Sequence, residues 1–221
     1  CNSLRDITFP LKDAHVGTRA FGCSSSSATV LRVDDLRDWL TIDFADGSAN
    51  PLQISGHFVV GGKELGRDLT IPDGVDTIKQ YAFYYYPSGI SSLKLPSSLT
   101  WVGKYAFYGY GVGSVDVIDV NAWCNIEFES VETNPLYYNS DLRVNGQSIA
   151  GDLVLSEGIT RICPCAFRGL SALTSVVIPE GVVEIGEKAF YDCDSLREVT
   201  IPSRLKRVGK DAFGSAYDIE S

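Results

Sequence analysis

The sequence predicts a solenoid of stacked coils, each about 23 residues long and each carrying one short parallel β-strand. The first observation behind this prediction is a recurring Ala-Phe pair, because self-similarity at a fixed period identifies a repeat architecture. The pair stands at Ala20-Phe21, Ala82-Phe83, Ala106-Phe107, Ala166-Phe167, Ala189-Phe190 and Ala212-Phe213. The second observation is an apolar-Pro pair that keeps the same period. It stands at Phe9-Pro10, Ile71-Pro72, Leu95-Pro96, Ile178-Pro179 and Ile201-Pro202.

The core follows from the apolar positions of the repeat. Its best-defined copies run from Leu173 to Cys193 and from Leu196 to Ala216, and their apolar positions superpose. In the first copy these positions are Leu173, Val176, Ile178, Val182, Ile185, Ala189 and Phe190. A single coil cannot bury this side, but stacked coils bury it as one column, at roughly 25 cal/mol per Å² of apolar area.

Local structure within a coil is predicted from β-branched runs and glycines. The runs at 176–178 and 199–201 are each stopped by a proline, which has no amide hydrogen to donate and therefore ends a strand. We predict one short parallel strand per coil. Gly186 and Gly209 are interpreted as turn positions, after which a phenylalanine fills the core between neighbouring coils.

A second, longer period links the less regular segments. Residues 33–83 align without gaps on residues 117–167 at an offset of 84. The matched positions include Asp35 with Asp119, Trp39 with Trp123, Phe44 with Phe128, Asn50-Pro51-Leu52 with Asn134-Pro135-Leu136, and Gly62 with Gly146. This predicts longer variant units at about 30–83 and 114–167. Within them, Gly61-Gly62 and Asn145-Gly146 predict two-residue hairpin turns.

Residues 1–221 are predicted to form a single solenoid that begins and ends within a repeat. Cys1 to Leu4 match Cys193 to Leu196, so Cys1 is interpreted as a repeat position rather than a lipid anchor. Because solenoids need capped ends for solubility, we expect the natural chain to be longer.

The pattern L-x-x-V-x-I-P-x-x-V-x-x-I-G-x-x-A-F-x-x-C resembles the BspA-like leucine-rich repeats of bacterial surface proteins, and the W-C-x-I-x-F segment resembles their longer variant units. The resemblance implies an α/β fold of the leucine-rich-repeat class, a right-handed, horseshoe-like solenoid dominated by β-structure. It also implies a place on the surface of host-associated microbes and a role in adhesion or protein binding, with no catalytic residue. The sequence departs from the pattern where Cys163-Pro164-Cys165 replaces Gly-x-x and where Ser156 replaces the proline.

Composition and motifs argue against several classes of function. The net charge of -9 disfavours nucleic acid as a partner, and no apolar run is long enough to insert into a membrane. The two histidines, His15 and His57, do not stand at metal-ligand spacing, and no phosphate-binding glycine motif appears. We therefore expect no metal, no cofactor and no enzymatic activity. The six cysteines are interpreted as ordinary thiols, with any disulfide pairing left open.

The candidate binding residues are tyrosines that recur at the coil period. Because residues one period apart stack on adjacent coils, ladders of rings are predicted. The members are Tyr81, Tyr84 and Tyr86, which recur as Tyr105, Tyr108 and Tyr110, and Tyr191, which extends the row of Tyr84 and Tyr108. Tyrosine is favoured at interfaces, although these rings could equally be half-buried packing residues. Tyr137 and Tyr138 are interpreted as packing residues.

Two functions remain open on this basis. The first is a cell-surface or secreted protein that binds a protein ligand, such as a host extracellular protein, or a glycan, through its stacked coils. The alternative is a passive spacer that presents another module of a longer surface protein.

Overall fold

The computed structural model describes residues 5–21, 29–138 and 140–214. In chain order, the strands of the first half are β1 (Asp6–Thr8), β2 (His15–Val16), β3 (Thr29–Val33), β4 (Asp43–Phe44), β5 (Ser55–Val60), β6 (Lys63–Glu64), β7 (Asp68–Thr70), β8 (Thr77–Ile78), β9 (Ile90–Leu95) and β10 (Trp101–Val102). Those of the second half are β11 (Val112–Val117), β12 (Glu127–Phe128), β13 (Asp141–Val144), β14 (Gln147–Ser148), β15 (Gly151–Val154), β16 (Arg161–Ile162), β17 (Leu173–Val177), β18 (Glu184–Ile185), β19 (Glu198–Thr200) and β20 (Arg207–Val208). Short helices are α1 (Leu36–Leu40) and α2 (Val120–Cys124), with 3-10 turns at Gly47–Ala49, Pro51–Ile54, Val131–Thr133 and Pro135–Tyr138.

Each coil contributes one longer strand to a parallel stack, as predicted. The stack runs in chain order through β1, β3 and β5, then β7, β9, β11 and β13, and finally β15, β17 and β19. Leu93 of β9 lies opposite Leu69 on one side and Val115 on the other, and all three side chains are buried. One inward-pointing position per coil therefore builds a continuous apolar column.

The prediction of a single strand per coil is wrong, because each coil also crosses a second sheet. Two-residue strands pair in parallel as β2 with β4, as β8, β10 and β12, and as β16, β18 and β20. The inward residue of this second crossing is a fully buried aliphatic side chain in several coils, such as Ile162 or Ile185, and a buried phenylalanine in β4 and β12. Two residues are too few to produce a recognisable alternation in sequence.

Both predicted hairpin turns are present. β5 pairs antiparallel with β6 around Gly61 and Gly62, at φ of 55° and 80°, and β13 pairs antiparallel with β14 around Asn145 and Gly146, at φ of 51° and 78°. Positive φ at both central residues is what a type I′ turn requires. The hairpins lie where one parallel sheet stops and the next begins.

The 84-residue period of the sequence is also found in the hydrogen bonds of the structure. The Trp39 Nε1 donates to the carbonyl oxygen of Ala82 at 2.9 Å, and the Trp123 Nε1 donates to that of Ala166 at 2.8 Å. Both indoles are buried and tie a helix-bearing coil to the following Ala-Phe turn. The bounds of the longer units, about 30–83 and 114–167, stay predictions.

Phenylalanines from the Ala-Phe pairs lie in register, as expected. The rings of Phe83 and Phe107 stack with centroids 5.7 Å apart and planes 4° apart. Phe190 stacks on Phe167 at 5.1 Å and on Phe213 at 5.3 Å. The core is therefore elongated along the stack. The handedness and the horseshoe curvature stay predictions.

The glycine of the repeat has a different role from the predicted one. Gly186 and Gly209 do not need a left-handed backbone; instead, a Cβ there would lie 2.5 Å from the Pro164 nitrogen and 2.3 Å from the Glu187 nitrogen of the preceding coil. Close approach of neighbouring backbones excludes a side chain. Two coils have another residue at the position of this glycine. Cys163 follows the coil with α2 and Lys79 follows the coil with α1, and the amide of each donates to the carbonyl oxygen of the last helical residue, Cys124 or Leu40.

Cysteines 124, 163, 165 and 193 are buried and free, as expected for ordinary thiols. The remaining cysteines, Cys1 and Cys23, lie outside the described residues. Across the described ranges, the helices are all too short or too polar to span a bilayer.

Candidate functional site

The predicted tyrosines lie on the turns that join a two-residue strand to the next long strand. Tyr81 and Tyr105 directly precede the Ala-Phe pairs and both adopt a φ of 57°, in the left-handed region. Hydrogen bonds between coils hold these turns in register: the Tyr81 amide donates to the Lys104 carbonyl at 2.9 Å, and the Tyr85 amide to the Tyr108 carbonyl at 2.8 Å. The rings therefore project from a backbone that each neighbouring coil braces.

Two of the three predicted ladder rungs form. The rings of Tyr84 and Tyr108 stack with centroids 5.6 Å apart and planes 16° apart. Those of Tyr81 and Tyr105 are 5.5 Å apart and tilted by 50°. Such ring pairs contribute about 0.5–1.5 kcal/mol beyond the area they bury.

The third predicted rung, between Tyr86 and Tyr110, is wrong. Tyr86 is 3% exposed, and its hydroxyl donates to the carbonyl oxygen of Leu65, so this ring belongs to the core. Tyr110 is 73% exposed and packs edge-on against Tyr85, with centroids 6.0 Å apart. The two turns follow different paths because Gly109 takes a φ of 148° where the equivalent Tyr85 takes 49°.

Three tyrosines that were not among the predicted binding residues pack against the predicted ones. Tyr138 is 42% exposed and meets Tyr108 edge-on at 6.1 Å, so its interpretation as a packing residue is wrong, while Tyr137 packs against it at 5.0 Å. Tyr85 is 41% exposed. The sequence does indicate that Tyr85 is unusual, because the corresponding position in other coils has a residue that tolerates a left-handed backbone. Those residues are Gly109, Gly169 and Asp192.

Tyr191 is connected to the other tyrosines by cations that lie between its ring and that of Tyr137, not by a ring contact with Tyr108. The guanidinium of Arg168 lies over the Tyr137 ring at 5.0 Å and over the Tyr191 ring at 5.4 Å. The Lys188 ammonium lies 5.3 Å and 6.0 Å from the same two rings. A cation desolvated between rings is attracted by both faces, at up to about 2 kcal/mol. We call Tyr84, Tyr108, Tyr137, Tyr138, Arg168 and Tyr191 the tyrosine row.

Glycines support the two outer rings of the tyrosine row. A Cβ on Gly47 would lie 2.1 Å from Cε1 of Tyr84, and one on Gly214 would lie 2.8 Å from Cδ2 of Tyr191. Each outer ring therefore rests directly on the backbone of a further coil. We call the tyrosine row together with Tyr81, Tyr85, Tyr105 and Tyr110 the tyrosine face.

Three hydroxyl groups of the tyrosine face, those of Tyr81, Tyr84 and Tyr138, are neutral at physiological pH. Burial raises the pKa of Tyr81, Tyr84 and Tyr138 above the ordinary tyrosine value. Each of these hydroxyls can therefore both donate and accept a hydrogen bond. Lys104 adds a positive charge, with its ammonium 5.0 Å from the Tyr105 ring.

Titratable groups outside the tyrosine face include an exposed His-Asp pair and buried thiols. The exposed pair of His15 and Asp43 is 3.0 Å apart, and hydrogen bonds from His15 and Gln80 lower the pKa of Asp43. Burial raises the pKa of Cys165 and of Cys193 to about 12, which keeps these thiols protonated. No group of His, Cys, Asp and Glu side chains within the described residues could hold a metal ion.

Stacked parallel strands, with phenylalanine rings in register between neighbouring coils, define a repeat protein of the solenoid class. The chain belongs to the BspA type leucine rich repeat family, whose model matches in six copies over residues 64–142 and 146–221, more than half of the chain. No protein of curated function matches it.

Among solved structures, the chain is similar to a leucine rich cell surface protein of Faecalibacterium prausnitzii A2-165, with a TM-score of 0.49 and 17% identity over 98% of this chain and 74% of that one. It is also similar to a leucine-rich repeat protein of Bacteroides ovatus ATCC 8483, with a TM-score of 0.30 and 16% identity over 100% of this chain and 78% of that one.

Proposed function

We propose that this protein is a non-enzymatic leucine-rich-repeat protein of the cell surface or extracellular space that binds a protein partner through its tyrosine face. Membership of the BspA type leucine rich repeat family supports the repeat-protein class and the surface location. The single observation that carries the binding role is the continuity of the tyrosine face across successive coils.

The chemistry of the tyrosine face suits a protein partner. Tyrosine and arginine are among the residue types most enriched at the energetic centres of protein interfaces, because each combines a large flat contact area with a polar group. Here the stacking of Tyr84 on Tyr108 and the clamping of Arg168 between two rings hold the side chains in place before any partner arrives. Pre-ordered side chains lose less entropy on binding, which raises affinity.

A binding assay with paired variants tests the proposal. The chain of residues 1–221 is immobilised and probed with a panel of purified extracellular-matrix and plasma proteins by surface plasmon resonance. Tyr84→Ser combined with Tyr108→Ser removes the stacked pair of rings, and we expect the dissociation constant of a bound partner to rise by about 30-fold or more, the usual effect of truncating residues that dominate the binding energy.

The control is Val154→Ser, which changes a residue that is 67% exposed on the long-strand sheet. Its binding should match the wild type. Loss of binding in the control but not in the double variant would assign the contact to the long-strand sheet and overturn the proposal. Absence of binding to every member of the panel would also overturn the proposal, and it would favour the passive spacer.

A further inference from the structure

A shallow groove lies at the edge of the tyrosine face, next to the 3-10 turn at Pro51–Ile54. It has a volume of about 480 Å³. Its lining comprises two tyrosines, Tyr85 and Tyr110, together with Leu52, Gln53, Ser55, Gly56 and Pro87. This volume lies within the range of about 300–1,000 Å³ typical of small-ligand sites.

The groove has no charged side chain in its lining. Charged residues make up 21% of the chain, and other depressions of similar size do contain them. The depression of about 500 Å³ on the last long strands includes Asp152, Arg197 and Glu198. A ligand of the groove therefore finds no ionic partner there, while the net charge of -9 repels anions from the surface as a whole.

The lining offers two aromatic surfaces and a polar amide. The planes of Tyr85 and Tyr110 are 87° apart, and both rings are exposed, at 41% and 73%. Gln53 is exposed, and the structure shows no hydrogen bond from its side-chain amide to another described residue. That amide has both donors and an acceptor left to share with neighbouring hydroxyls of a ligand.

Tyr85 holds its position at a conformational cost. Its φ of 49° lies in the left-handed region, where the next coil has Gly109. A bulky residue in this region is disfavoured by about 1–2 kcal/mol relative to the ordinary backbone. Because the next coil accommodates glycine at this position, replacement of Tyr85 by glycine is compatible with the backbone.

We propose that this groove binds a neutral oligosaccharide. A sugar ring presents a C–H face, which packs on the negative face of a tyrosine ring, and hydroxyl groups at its edge, which pair with an amide. No formal charge is needed on either side, in agreement with the lining. The inference goes beyond the proposed protein binding and shares with it only the location of Tyr85 and Tyr110 on the tyrosine face.

Affinity electrophoresis of the chain of residues 1–221 tests the inference. The gels contain laminarin, xyloglucan, galactomannan or arabinoxylan as neutral probes and polygalacturonate as the charged one. We expect at least one neutral probe to retard the protein and polygalacturonate to leave its mobility unchanged. Retardation by polygalacturonate alone, or by no probe, overturns the inference.

Variants then locate the site. Tyr85→Gly keeps the left-handed backbone available, and Tyr110→Ala truncates a ring that is 73% exposed, so neither change should unfold the chain. Each should weaken binding of the retarding polysaccharide by about tenfold or more, which corresponds to about 1.4 kcal/mol. Val154→Ala, which truncates a residue that is 67% exposed on the long-strand sheet and is not part of the groove lining, should change it by less than about twofold.

Unchanged binding by Tyr85→Gly and Tyr110→Ala would place the sugar elsewhere and overturn the inference. The two proposals fail separately. Loss of protein binding on Tyr84→Ser with Tyr108→Ser reports on the protein partner, whereas retardation by a neutral polysaccharide reports on the groove.

Discussion

Replacement of Gly186 by alanine tests how closely neighbouring coils are packed. Gly186 directly follows β18, and its amide donates to the carbonyl oxygen of Ile162 at 2.9 Å. A Cβ at this position would lie 2.5 Å from the Pro164 nitrogen and 2.7 Å from the Cys163 carbonyl carbon. Both are backbone atoms, so no side-chain rotation can relieve the contact.

The expected cost follows from the separation that the added methyl group requires. Carbon contacts are favourable at about 3.5–4.0 Å, so the two coils must move apart locally by about 1 Å. This weakens two hydrogen bonds between the coils, from Gly186 to Ile162 at 2.9 Å and from Cys165 to Glu187 at 3.0 Å. At about 1 kcal/mol each, together with about 1–3 kcal/mol for overpacking, Gly186→Ala should lower the free energy of unfolding by about 3–5 kcal/mol.

Urea denaturation followed by tryptophan fluorescence measures this loss as a lower midpoint. Gly66→Ala is the matched control, because a Cβ on Gly66 has no neighbouring atom within 4 Å. We expect the control to stay within about 0.5 kcal/mol of the wild type, as for most surface substitutions. If Gly186→Ala were as stable as Gly66→Ala, the close approach of the coil backbones could not be the reason for the glycine.

Three further changes have defined outcomes. Trp123→Phe leaves the buried Ala166 carbonyl without its indole donor and should cost about 1–3 kcal/mol in urea denaturation; no loss would show that this hydrogen bond is dispensable. Phe190→Ala removes the ring between two stacked neighbours and should cost about 3–5 kcal/mol by the same assay, and a cost below about 1 kcal/mol would contradict a shared ring column. Burial raises the pKa of Tyr86 from 10.0 to about 12, so the stability that its protonated form contributes is complete below pH 10 and is lost as pH rises to about 12. The stability difference between wild type and Tyr86→Phe should therefore shrink over that interval in alkaline thermal melts, and a difference that stayed constant would refute the raised pKa.

The repeat and its register could be predicted from the sequence because both depend on spacing alone. Phe190 stacks on Phe213 because the same letter returns after one coil, and Asn145-Gly146 forms a turn because both residues tolerate positive φ. The second sheet could not be predicted in this way. Strands of two residues, such as Glu184–Ile185, are too short for any periodic signal and form only when the next coil is already in place.

The candidate site was predicted less completely than the fold. Tyr84 and Tyr108 stack as the period requires, but Tyr86 turns into the core and Tyr138 turns out of it. The period specifies which residues share a position along the stack. It does not specify the direction of a side chain on a turn, which depends on φ at the neighbouring residues.

The sequence by itself determined the architecture: a stacked core arises wherever aliphatic and phenylalanine side chains recur at one interval, since burial is favourable for any chain with that pattern. Only the tertiary structure decided which tyrosines are exposed, that Arg168 rather than a ring joins Tyr137 to Tyr191, and that a neutral groove lies beside Tyr85. Those features depend on contacts between coils far apart in sequence, where a small change in backbone angle moves a ring from the core to the surface. Spacing carries no information about such angles.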